Sequence, residues 1–105
     1  MKLLGYTCVT NCWDEFTKAE RSGIGGIKDT YIRLFNEWKS NYVYLTELTV
    51  VLNCKILQFY DGDVDGTGRR TEIARAYSRL WEGTQRYAET NLRNEELRYY
   101  RRITD

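Results

Sequence analysis

The chain has no proline and no histidine, and one methionine. Without proline, nothing in its 105 residues locks φ or deletes a backbone donor, so every segment is free to run on as a helix. Without histidine, the usual general base is missing, and with it every Ser–His and Cys–His pair. Cysteine is scarce: Cys8, Cys12 and Cys54. A structural zinc site normally needs four Cys or His ligands, which this inventory does not supply. An odd cysteine count behind an N-terminus with only a short, mixed apolar run points to free thiols in a reducing, cytoplasmic setting. That run is also far too short to span a bilayer.

What is present is an ordinary globular balance, 42% hydrophobic and 30% charged. The length is that of one domain, taken here as residues 1–105, with enough chain to fold around its own core. Nine of the fifteen aromatic residues are Tyr, a residue suited to half-buried positions and contact surfaces. The net charge of +1 is unevenly spread: residues 67–105 hold nine Arg, no Lys and six acids. That C-terminal excess is too small to imply a nucleic-acid partner.

Hydrophobic spacing predicts an all-α bundle of four or five helices, over about 11–22, 28–40, 42–60, 72–91 and 94–102, with a short strand at the N-terminus as the alternative for residues 1–10. Ile27, Tyr31, Leu34, Phe35 and Trp38 share one helical face. Asp29 or Thr30 would satisfy free N–H groups near the start of that helix. Leu45, Leu48, Leu52, Ile56 and Phe59 form a second stripe, which Val50, Val51 and Leu57 widen past half the circumference. A helix apolar that far round belongs at the centre of a bundle. The three glycines within Ser22–Gly26 read as a chain break. Asn94 reads as an N-cap, followed by Glu95 and Glu96 at the positive end of the last helix.

One segment carries metal-ligand spacing. Residues 61–72 match the pattern of a calcium loop, with Asp61, Asp63 and Asp65 alternating, Gly66 at the sharp turn and Glu72 closing. Alternate acids on a tight loop aim three carboxylates at one centre. The Thr67 carbonyl adds an oxygen, and Glu72 would add two. The stretch 57–80 therefore resembles a single EF-hand, with calcium as the implied ligand. It departs from that pattern at Gly68, where an apolar residue is usual, and at Arg69 and Arg70, whose charges oppose a dication. The plain alternative is a solvated helix connection, where Asp and Gly are common.

The last helix interleaves Arg98, Tyr99, Tyr100, Arg101 and Arg102. Arg and Tyr dominate protein–protein contact energies, which makes this set the candidate partner-binding face. The bland reading is a solvated helical face with Glu–Arg pairs.

Two longer stretches, about residues 27–60 and 74–105, resemble small helical proteins carried on mobile elements and phages of gut bacteria. The shared positions include Phe35-Asn36-Glu37-Trp38, Ala74-Arg75-Ala76-Tyr77, Leu80-Trp81 and Glu95-Glu96-Leu97. The resemblance is of packing residues and implies no catalytic activity. The connection before Ala74 is shorter in that group, which makes the acidic loop an insertion here. The reading that follows is a non-catalytic accessory protein acting by protein–protein binding, such as a phage or mobile-element inhibitor of a host system, with a calcium-binding module as the alternative. A homo-oligomer stays open.

Overall fold

The structure, a computed structural model, describes residues 8–61 and 69–104, with the side chains of 12–59 and 70–104. It is an all-α bundle of five helices: α1 (Cys8–Glu20), α2 (Gly23–Trp38), α3 (Tyr42–Asp61), α4 (Arg69–Asn91) and α5 (Asn94–Thr104). No strand occurs among the described residues. Residues 8–10, which the strand alternative included, open α1, and residues 1–7 lie outside the description.

The apolar stripes fall largely where their periodicity places them, with Ile27 and Leu34 buried on α2, but Trp38 at the end of that face is 44% exposed because α2 stops there. α3 touches all four other helices, as its broad apolar surface requires, and its most extensive packing is against α4. Leu45, Leu48 and Leu52 have no exposed surface. Phe16 from α1 meets the Tyr77 ring of α4 edge-on at 5.7 Å, and Phe59 stacks on the same ring at 6.1 Å. Tyr77 is thus the aromatic hub joining α1, α3 and α4. Burying a side chain of this size contributes on the order of 2–3 kcal/mol.

Three local expectations are corrected. The glycine segment breaks the chain only at its start: Arg21 and Ser22 form the turn, and α2 runs from Gly23 on through Gly25 and Gly26. Gly23 takes φ +81, the left-handed conformation that reverses the chain. At Gly26 an added Cβ would lie 2.8 Å from the Ala19 carbonyl oxygen, so the α1–α2 corner closes only over a glycine. Asp29 and Thr30 therefore lie beyond the first turn of α2.

At the last helix, Leu97 N–H donates to the Arg93 carbonyl and the Glu96 carboxylate accepts from Arg93 N–H. The cap is therefore Arg93, and Glu96 closes it from the third helical position. Asn41 is the side-chain cap at the start of α3, its Oδ1 accepting from Tyr44 N–H at 3.1 Å.

The wide stripe of α3 also divides unevenly. Leu57 is 58% exposed, whereas Lys55, Glu47, Thr46 and Thr49 are buried. Thr46 and Thr49 donate to the carbonyls four residues back, Tyr42 and Leu45, which satisfies their hydroxyls inside the helix.

Candidate functional site

The five residues of the C-terminal set separate into an anchor and a surface. Tyr100 is 2% exposed and its hydroxyl lies 2.7 Å from Thr49 Oγ1. Thr49 spends its one hydrogen on the Leu45 carbonyl, so the Tyr100 hydroxyl is the donor. Burial pushes the Tyr100 hydroxyl above the usual tyrosine range, which keeps it protonated as a donor. Tyr100 therefore docks α5 on the central helix and presents no contact surface.

Its neighbours face outward. Arg98, Arg101 and Arg102 are exposed, and Tyr99 is half-buried. Tyr99 meets the Tyr42 ring edge-on at 5.3 Å, and the Arg102 guanidinium lies 5.8 Å from its centroid. Tyr42 and Arg102 thus flank one half-buried aromatic ring. Arg101 reaches Glu89 on α4 at 3.7 Å, with both side chains more than half exposed, a contact of little energetic weight.

The calcium loop lies outside the description: of Asp61, Asp63, Asp65, Thr67 and Glu72, only Glu72 has a described side chain. It sits exposed in the first turn of α4. Among the described residues, no group of three or more Cys, Asp and Glu is placed to hold a metal ion.

Sequence reasoning passed over the most concentrated polar network among the described residues. Lys55 has no exposed surface. Its Nζ donates to Thr17 Oγ1 at 2.8 Å, pairs with Glu20 Oε2 at 3.0 Å and lies 3.9 Å from the centroid of the Trp13 ring. The Thr17 hydroxyl in turn donates to the Trp13 carbonyl. Tyr77 donates to Glu20 Oε2 at 2.6 Å. Burial raises the Tyr77 hydroxyl well above the tyrosine range, and the Glu20 carboxylate raises it further. One signal was available: Lys55 follows Leu48 and Leu52 at spacings of seven and three, inside the apolar stripe.

Cys12 is a second enclosed group, 2% exposed and 3.1 Å from the Tyr44 hydroxyl. Burial lifts its thiol from 9.0 to about 11, so at neutral pH it is a packed thiol and not a thiolate nucleophile. The half-buried Cys54 is raised by burial as well.

These features define an all-α bundle with one buried cation, Lys55, held by Glu20, Thr17 and Trp13, while the arginines with described side chains are exposed. No protein-family model, curated protein or solved structure matches the chain. No helix of the described residues is long and apolar enough to cross a membrane.

Proposed function

We propose that the protein is a non-catalytic accessory protein of the cytoplasm that binds another protein through the outer face of α5. The observation that supports this is the division of that helix. Tyr100 fixes it from inside, while Arg98, Arg101 and Arg102 stand exposed, with Arg102 beside a Tyr99 ring that meets Tyr42. Tyrosine together with arginine is the composition of contact hot spots. An inhibitor of a host system carried by a phage or mobile element is one such protein. The test is affinity capture from a bacterial host lysate with the native chain and with Tyr99→Ala/Arg101→Ala/Arg102→Ala. A partner lost from the variant, with helical circular dichroism unchanged, supports the reading. Equal capture by both rejects it.

A second reading is calcium binding by residues 61–72. It is favoured by the element bounds: α3 ends at Asp61, α4 begins at Arg69, and Glu72 lies in the first turn of α4. The twelve residues thus take their first from the end of α3 and their last four from the start of α4, the helix–loop–helix order of a calcium hand. An ion that binds only the folded state raises Tm by mass action. Millimolar Ca²⁺ should therefore raise Tm, and Glu72→Gln should abolish the rise. A flat calorimetric titration with unchanged Tm leaves the loop as a helix connection.

A further inference from the structure

A shallow groove runs between the start of α2 and the first half of α4. One part, of about 250 Å³, is lined by Ile24, Lys28, Glu72, Arg75, Ala76 and Arg79, and an adjoining part of about 320 Å³ continues it past Gly23 and Ile73. Ile24 and the buried Ala76 supply apolar floor, while Lys28, Arg75 and Arg79 are exposed at the rim. None of these three cations makes an ion pair with a described residue, in contrast to Arg33, Lys55 and Arg101. Among the described residues, three positive charges from two helices thus face one groove, against the single carboxylate of Glu72. Arg86 follows Arg79 by seven residues, which carries the same side of α4 onward.

We infer that this groove docks an acidic segment of a partner protein, a second contact surface separate from the α5 face. Three features select a peptide over other anions. The rim charges are solvent-exposed, so each contributes little alone and several carboxylates must be engaged together. The floor is apolar and offers side-chain contact, which an inorganic anion would not use. Glu72 stands at the end where α4 begins, so an occupant needs a neutral or basic residue there and carboxylates further along, a mixed pattern that a peptide has and a uniform polyanion lacks. The chain as a whole, at +1, also lacks the charge that nucleic-acid binding draws on.

The probe is a fluorescein-labelled ten-residue peptide with one Lys, one Leu and five Asp or Glu, followed by anisotropy at low salt. Saturable binding is expected, weakened about tenfold or more by Arg75→Glu/Arg79→Glu and tightened by Glu72→Gln, as charge changes on a shared rim require. Arg98→Glu/Arg101→Glu on α5 should leave it unchanged, which separates failure here from failure of the α5 reading. The inference is overturned by absence of saturable binding, by equal weakening from the α5 variant, or by tighter binding of a single-stranded oligonucleotide with the same sensitivity to Arg75 and Arg79.

Discussion

Lys55 Nζ lies 3.0 Å from Glu20 Oε2, and the Tyr77 hydroxyl lies 2.6 Å from the same oxygen. One carboxylate near the end of α1 therefore ties the first helix to the central helix and to α4. Removing one member of a buried pair leaves the other uncompensated and costs about 3–5 kcal/mol. Lys55→Ala should lower unfolding free energy by about that amount in urea denaturation, and Lys55→Met with Glu20→Gln should recover part of the loss. A Lys55→Ala cost within about 0.5 kcal/mol, the range of surface substitutions, would show that the network does not hold α1.

Cys12 gives the protein an alkaline limit. Its folded pKa of about 11 exceeds the ordinary 9.0, so between those values the unfolded chain has released a proton that the folded one still holds. Stability then falls as pH rises through that window, by about 1.4 kcal/mol for each unit of separation at full effect. Tyr31, Tyr77 and Tyr100, all raised by burial, add to the same loss. Denaturation between pH 8 and about 11 should show the decline, shallower in Cys12→Ala. A slope identical in the variant would remove Cys12 as a contributor.

Two residues of α5, two positions apart, should behave oppositely. Tyr100→Phe deletes the hydroxyl that donates to Thr49 and should cost about 0.5–1.5 kcal/mol. Arg98→Ala, on the exposed side, should stay within about 0.5 kcal/mol. The measurement is a pair of chemical denaturation curves, and a larger loss at Arg98 than at Tyr100 would reverse the assignment of the two faces.

The glycines of α2 form a third contrast. A Cβ at Gly25 meets nothing within 4 Å, whereas one at Gly26 falls 2.7 Å from Ser22 Cβ and 2.8 Å from the Ala19 carbonyl oxygen. Gly25→Ala should raise stability by about 0.5–1 kcal/mol through helix propensity. Gly26→Ala must force the α1–α2 corner apart and should lower Tm. The same sign at both sites would mean that the corner is not closely packed.

Helix existence was legible because it is a local property. The recurrence of Leu45, Leu48, Leu52, Ile56 and Phe59 repeats within one or two turns, and no proline interrupts it. The central place of α3 followed from the same pattern, because apolar surface on most sides needs neighbours on most sides. Helix ends were less legible: glycine spacing could not show that Gly23 turns the chain while Gly26 already lies inside α2. The candidate contact set was visible as a composition, and the spacing of Leu97, Tyr100 and Ile103 already turns Tyr100 inward; packing then leaves Tyr100 2% exposed and Tyr99 half-buried beside Tyr42.

Sequence alone determined that this chain forms helices and the main part of the stripes on α2 and α3, since both rest on contacts three and four residues apart, although Trp38 and Leu57 come out exposed. Tertiary structure decided what those stripes enclose and leave open. Lys55 enters the interior because Glu20 and Thr17 are brought to it, and Tyr77 meets Glu20 across 57 residues of chain. Lys28 joins Arg75 and Arg79 on one groove only because α2 packs beside α4. Pairings of that range leave no periodic trace, because they depend on where whole helices come to rest and not on the spacing within any one of them.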